Sequence, residues 1–155
     1  MIDDKDREIL AILQSNARIS NAEIARQVGM APSAILERIR RLEASGVIQG
    51  YETRISPEAL GYHLLAFVFV ATNDFAGELR AVERLAEIPE VQEVHHIAGE
   101  DCFLVKVRAR DAKSLGRLLR EELANLRTRT TVVLETVTEH GRVPLHGATG
   151  EVSRD

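Results

Sequence analysis

The apolar positions of the chain change rhythm once. Up to about residue 46 they recur every three or four places; beyond about residue 62 they run unbroken or alternate. The first rhythm predicts helices, the second strands with helices between them. Ile9, Leu10, Ile12 and Leu13 form the stripe of a first helix. Asp3 can cap it, Asp6 and Glu8 suit its positive end, and Asn16 is a stop. Ser20-Asn21-Ala22-Glu23 reads as a capping box ahead of a short second helix. That helix turns Ile24, Ala25 and Val28 inward and ends at Gly29, where a left-handed turn is tolerated. Pro32 suits the first turn of a third helix. Its inner stripe is Ile35, Leu36, Ile39 and Leu42, and Gly46 ends it.

Residues 20–45 thus read as a short helix, a glycine-containing turn and a longer helix, with a supporting helix before them. That is the helix-turn-helix arrangement. In such a unit one helix braces across the phosphate backbone and the next lies in the major groove. At about 100° per residue, the third helix turns Ser33, Ala34, Glu37, Arg40, Arg41 and Ala44 outward, with Arg38 at the flank. Two helices joined by a glycine turn also serve as a plain packing unit with solvated arginines, and the pattern alone does not choose between these uses.

Residues 47–61 read as a connector. Val47, Ile48 and Tyr51 suggest a short strand, and Ser56-Pro57-Glu58 a brief helical turn closed by Gly61. Next comes Leu64–Ala71 (LLAFVFVA), an apolar run that reads as a strand buried on both faces. Asn73 can cap a helix carrying Phe75, Leu79, Val82 and Leu85, ended by Pro89. Val91–Ala98 is strand-like. In the stretch from Cys102 to Arg108, Phe103, Val105 and Val107 face one way and Lys106 and Arg108 the other. Asp111 caps a helix with Leu115, Leu118, Leu119, Leu123 and Leu126 inward, and Thr130–Val137 is again rich in β-formers.

Strand-helix-strand, twice over, is the pattern of a ferredoxin-like βαββαβ fold. The expected class is therefore α+β: a helix-turn-helix domain at 1–54, a linker at 55–62, a βαββαβ domain at 63–140 and a flexible tail at 141–155. The two helices cover one face of the sheet. LLAFVFVA offers water no polar side, so the other face is expected to be buried against a second subunit, making the protein a homo-oligomer.

Composition narrows the function only modestly. The chain has 155 residues, 45% of them hydrophobic and 28% charged, which excludes wholesale disorder. Its net charge is -4, so bulk charge does not suggest nucleic acid. Locally, residues 26–54 carry five arginines against three glutamates. No apolar run is long enough to cross a membrane. Asp3, Asp4 and Asp6 have the wrong sign for a signal peptide. A single cysteine excludes an intrachain disulfide framework and fits the cytoplasm.

Catalytic signals are poor, and no catalytic residue, metal site or cofactor is expected. His95 and His96 are adjacent on a strand and point to opposite faces, so they cannot chelate one metal together. Cys102 follows an acidic pair, which disfavours a thiolate. The loop Gly99-Glu100-Asp101-Cys102 stands out. A glycine turn exposes backbone N–H groups for a carboxylate, and a neighbouring acid can hold an ammonium; a free amino acid requires both. An ordinary hairpin turn carries the same residues.

Taken in order, these fragments resemble the Lrp/AsnC (feast/famine) transcriptional regulators. The likeness runs through Ile2-Asp3-Asp4-Lys5-Asp6-Arg7-Glu8-Ile9-Leu10, Asn16-Ala17-Arg18-Ile19-Ser20, Glu23-Ile24-Ala25 and Val28-Gly29-Met30. It continues through Pro32-Ser33-Ala34-Ile35-Leu36-Glu37-Arg38-Ile39-Arg40-Arg41-Leu42-Glu43 and Gly46-Val47-Ile48-Gln49-Gly50-Tyr51. In the second half it rests on Val94, Ala98-Gly99-Glu100-Asp101, Arg129-Thr130-Thr131 and Val133-Leu134. The resemblance implies a DNA-binding domain followed by an effector domain, dimers formed through the sheets, and assembly to tetramers or octamers. It implies duplex DNA and a small effector, typically an amino acid, as partners. The residues expected at DNA are Ser33, Ala34, Glu37, Arg38, Arg40 and Arg41. Those expected at the effector are Ala98, Gly99, Glu100, Asp101, Cys102, Thr130 and Thr131. Members commonly carry Ser where Ala31 stands, a lost cap that costs about 1 kcal/mol. They often carry an acid where Cys102 stands; here the acid is one place earlier, at Asp101. Two rival readings share the fold: an enzyme like the siroheme decarboxylases, with His95 and His96 as its only candidates, and an effector-binding module that does not read DNA.

Overall fold

Asp3 starts the first helix as its position requires. In the computed structural model of the chain, residues 2–71, 83–124 and 126–145 are described. They form two units, one from the chain up to Arg54 and again from Thr138, the other from Ile55–Val137.

In the first unit, Asp3 Oδ1 accepts the Asp6 N–H at 2.8 Å, Asp6 Oδ2 accepts the Asp3 N–H at 3.1 Å, and α1 runs over Asp4–Ser15. Ser20 Oγ accepts the Glu23 N–H at 3.2 Å and opens α2 (Asn21–Val28). Only half of the expected capping box forms there, because the Glu23 carboxylate turns to Arg26 at 2.6 Å and Gln27 at 2.9 Å instead. Gly29 ends α2 at φ 72°, a left-handed conformation costly for any other residue. Lys5 Nζ donates to the Val28 carbonyl at 3.0 Å and satisfies one of the carbonyls that a helix end leaves open. Ile9, Ile24 and Ile35, one from each helix, are fully buried and form the centre of this core.

The third helix, α3, spans Pro32–Ala44 with Ala31 at its N-cap, and no side chain caps it. Ala31 already has the extended backbone that a capping residue needs (φ -71°, ψ 143°). Ala31→Ser is therefore expected to raise stability by about 1 kcal/mol, read as a higher urea midpoint at unchanged slope. An unmoved midpoint would mean that solvent serves those N–H groups as well as a hydroxyl does. Leu36, expected inside, is 38% exposed; the buried stripe is Ile35, Ile39 and Leu42. The strand expected around Val47–Tyr51 is not formed. The N–H groups of Val47 and Ile48 donate back to the Leu42 carbonyl at 2.9 and 3.1 Å. Tyr51 Oη donates to Glu43 Oε1 at 3.0 Å. These residues finish α3 rather than begin a ladder. From the later part of the chain, Val143 O accepts from Gln14 Nε2 and His140 O from Arg54 Nη2.

The second unit is a four-stranded sheet of β1 (Leu64–Ala71), β2 (Val91–His96), β3 (Phe103–Ala109) and β4 (Arg127–Val132). Its spatial order is β2-β3-β1-β4, and every neighbouring pair is antiparallel. Asp111 caps α4 (Ala112–Glu122), exchanging hydrogen bonds with Ser114 at 2.7 and 3.1 Å. Glu83–Leu85 are helical, while Asn73, Phe75, Leu79 and Val82 of the expected first helix lie outside the described residues. Residues 55–62, read as a linker, count with this unit, and Glu58–Leu60 form a 3-10 turn. β4 starts and ends earlier than expected; Leu134 and Val137, beyond it, are exposed. β2 also stops short of Ala98.

Alternation sorts the side chains of the sheet. Ala66, Val68, Val70, Phe103, Val105 and Val107 pack with Leu85, Leu115, Leu118 and Leu123. Opposite-facing Leu65, Phe67 and Phe69 share their side with Lys106 and Arg108, the two cations expected to point away from the core. These cations are nevertheless buried. Lys106 Nζ donates to Glu93 Oε1 at 3.0 Å; Arg108 reaches Gln92 Oε1 at 3.3 Å and Glu58 at 3.5 Å. Charge on this face is thus held in pairs beside the aromatic rings, which the unbroken apolar reading of β1 did not show.

Candidate functional site

Residues of α3 fall into two rows. Ser33, Glu37, Arg40 and Ala44 follow one another at helical i, i+3/i+4 spacing and are all exposed. Arg40 makes no ion pair with any described residue. The second row, Ala34, Arg38 and Arg41, is turned one step around the helix, and Ala34 and Arg38 are half-buried. Arg38 Nη1 donates to Asp3 Oδ2 at 2.6 Å and to Asp6 Oδ1 at 2.8 Å. Arg41 Nη2 donates to both oxygens of Asp6, at 3.0 and 2.8 Å. The Arg38 guanidinium and the Asp6 N–H hold the Asp3 carboxyl below the usual carboxylate range, and Asp3 and Asp6 in turn raise Arg38.

These contacts divide the expected DNA residues. Ser33, Glu37 and Arg40 lie together on an open row. Arg38 is spent on the α1 terminus, with only 23% of its side chain exposed. Arg41 belongs to both groups: it is tied to Asp6, yet 57% of its side chain is exposed. The acids Asp3 and Asp6 were read only as a helix start. Their second role depends on residues 32 to 35 positions away in sequence, which no local pattern reveals.

The other expected site is the connection from β2 to β3. The Ile97 N–H donates to Cys102 O, and the Cys102 N–H to Val70 O, both at 2.9 Å. The loop between them is closed and its root continues the β1–β3 pairing. Ala98, Gly99 and Glu100 are exposed, and Gly99 holds φ 148°, a backbone that other residues rarely adopt. Asp101 and Cys102 precede β3, so strand alternation does not set their directions. Asp101 Oδ2 accepts from Arg129 Nη2 at 2.8 Å. The Arg129 guanidinium also lies 4.0 Å from the centre of the Phe69 ring, opposite it in register.

Register separates the two threonines. Thr131 pairs with Phe67 and shares the Arg129 face; Thr130 pairs with Val68 and takes the helix-covered face. Their side chains therefore lie on opposite faces of the sheet. Arg129, which meets Asp101 and the Phe69 ring, was not among the residues expected at the effector. The signal for Arg129 was available, since two-residue periodicity puts it on the face of Thr131. The loop can offer backbone N–H groups, Arg129 a cation, and Asp101 and Glu100 carboxylates.

His95 and His96 do lie on opposite faces. His95 Nε2 sits 3.0 Å from Glu93 Oε2, while His96 stacks on Phe103 with ring centres 5.0 Å apart. His95 first and Lys106 second hold Glu93 below the ordinary carboxylate range. Among the described residues, no group of three or more His, Cys, Asp or Glu side chains could hold a metal, and no helix is long and apolar enough to cross a membrane.

Comparison with known proteins matches both units. Residues 2–49 fit a family model described as winged helix-turn-helix DNA-binding, and residues 65–143 one described as the Lrp/AsnC ligand binding domain. The HTH-type transcriptional regulator LrpA of Mycobacterium tuberculosis is 40% identical over 137 residues, 87% of this chain and 91% of that protein. The leucine-responsive regulatory protein of Escherichia coli is 40% identical over 151 residues, 92% and 90% of the two chains. Among solved structures, a transcriptional regulator of Neisseria meningitidis in complex with L-Met superposes with a TM-score of 0.88 at 25% identity, covering 94% of this chain and 98% of that one. A feast or famine regulatory protein of M. tuberculosis complexed with L-methionine gives 0.84 at 38% identity, covering 93% and 100%.

Proposed function

The chain belongs to the Lrp/AsnC family of transcriptional regulators, and from that membership we propose how it works: α3 reads duplex DNA, and a small effector, an amino acid, sets affinity or assembly. The observation that carries this reading is the open row of α3 in a chain that also holds a ligand-binding unit. Ser33, Glu37 and Arg40 face base edges and backbone with Ala34 at their flank, Arg41 adds a phosphate contact, and Arg38 braces the helix from behind. Glutamate in such a row accepts from cytosine amino groups, while arginine donates to guanine or phosphate.

We place the effector at Ala98–Cys102, with Asp101 central, Arg129 and Thr131 beside it, and Thr130 behind the sheet. A free amino acid presents a carboxylate and an ammonium. The exposed loop N–H groups and Arg129 suit the first, Asp101 and Glu100 the second. The relatives include a leucine-responsive protein and two methionine complexes, which agree with that chemistry. The half-buried aromatics of β1 are covered by a second copy of the chain, giving a homo-oligomer working in the cytoplasm. Ligand favours one assembly over another and so changes the spacing of the α3 helices presented to DNA. No catalytic step is assigned, the relatives described being regulators rather than enzymes.

Asp101→Ala tests the effector half. Wild-type protein is titrated with duplex DNA alone, then with leucine or methionine, and its affinity and size should change with ligand. The variant should bind DNA equally well without ligand and ignore the amino acid. A normal response would move the effector site away from this loop.

A further inference from the structure

Asp6 is the one acidic side chain among the described residues that is fully buried. It sits in the first turn of α1, yet its two oxygens receive donors from two successive turns of α3. Asp6 Oδ1 accepts from Arg38 and Arg41, and Asp6 Oδ2 from Arg41 and the Asp3 N–H. Asp3 Oδ2 adds a second hold on Arg38 at 2.6 Å. A buried carboxylate carries a large desolvation cost, so such a group is weak evidence for stability and stronger evidence for a fixed geometry. The geometry fixed here is the rotation of α3 about its own axis relative to α1. Arg38 and Arg41 lie on one face, one turn apart, and a two-oxygen acceptor between them resists both roll and sliding.

We propose that Asp6 is a positioning residue for DNA specificity. It touches no DNA. It holds Arg38 out of the interface, aims Arg41 along its rim, and thereby sets which base edges Ser33, Glu37 and Arg40 meet. Its negative charge also offsets part of the arginine charge, which limits sequence-independent attraction to phosphate. This inference rests on the reading of α3 as the DNA-facing helix.

The test compares Asp6→Asn with wild type, full-length in both cases, on a duplex selected by the wild-type protein and on a scrambled duplex. Asparagine keeps the size but loses the charge and one acceptor. The ratio of selected to scrambled affinity should fall about tenfold, the discrimination ordinarily lost at one base pair, while affinity for the scrambled duplex holds or rises. A purely structural role would lower both affinities by one factor, leave the ratio unchanged, and overturn the proposal. Arg41→Lys covers the case in which Asp6→Asn does not fold, because Arg38 still neutralises Asp6. Lysine retains the charge and so the salt slope, but cannot fork across both oxygens. The ratio should fall again, and an unchanged ratio would count against the clamp. A wild-type protein with no preference for any duplex would overturn the DNA reading itself, an outcome distinct from an intact ratio in the variants.

Discussion

Arg40→Ala combined with Arg41→Ala is expected to weaken binding to duplex DNA at least tenfold and to flatten its dependence on salt. Each lost phosphate contact removes about 0.9 from the slope of log affinity against log salt, so the pair removes about 2 per bound protomer. Arg40 is exposed and makes no ion pair with the described residues. Arg41 keeps 57% of its side chain exposed although it is tied to Asp6. The fold should survive, because Arg38 still neutralises the buried Asp6 carboxylate. Anisotropy titrations at several salt concentrations give both quantities. An unchanged slope would take both arginines away from phosphate.

Val68→Asp is the second large effect. Val68 is fully buried in the middle of β1, opposite Val105 on one side and Thr130 on the other. Among the described strand residues, a carboxylate introduced there meets no lysine or arginine on its face of the sheet, since Lys106, Arg108, Arg127 and Arg129 all lie on the other. Burying an unpaired charge exceeds about 4 kcal/mol, comparable to the whole stability of a small domain. The sheet should unfold and the assembly come apart. The helical unit has its own core of Ile9, Ile24 and Ile35 and should keep its helices. DNA affinity should then drop about a hundredfold, the gain that linked binding sites ordinarily give. Circular dichroism and sedimentation report on the two units separately. Undiminished DNA affinity from dissociated chains would show that pairing through the second unit is not needed.

Features set by neighbours in sequence were legible in it. Asp3, Ser20, Gly29, Pro32 and Asp111 punctuate the helices where their chemistry predicts, because a cap acts over three or four residues. Alternation in β3 was legible for the same reason. Contacts between distant residues were not. Arg38 reads as a flank arginine until Asp3 and Asp6 are placed beside it. Lys106 and Arg108 read only as facing away from Phe103, Val105 and Val107 until Glu93, Gln92 and Glu58 are seen to meet them. Val47–Tyr51 has the composition of a strand, but a strand needs a partner, and here the Val47 and Ile48 N–H groups turn back to Leu42. Thr130 and Thr131 came together from the family resemblance, and their places on a strand turn their side chains to opposite faces. In the β2–β3 loop the sequence pointed to Asp101; the cation that reaches it, Arg129, comes from β4.

Selection of duplexes from a random DNA pool, with and without the twenty amino acids, tests the central claim most directly. A recovered motif with two related half-sites, enriched differently when amino acids are present, is the predicted result. Salt-sensitive retention with no motif under either condition would contradict it.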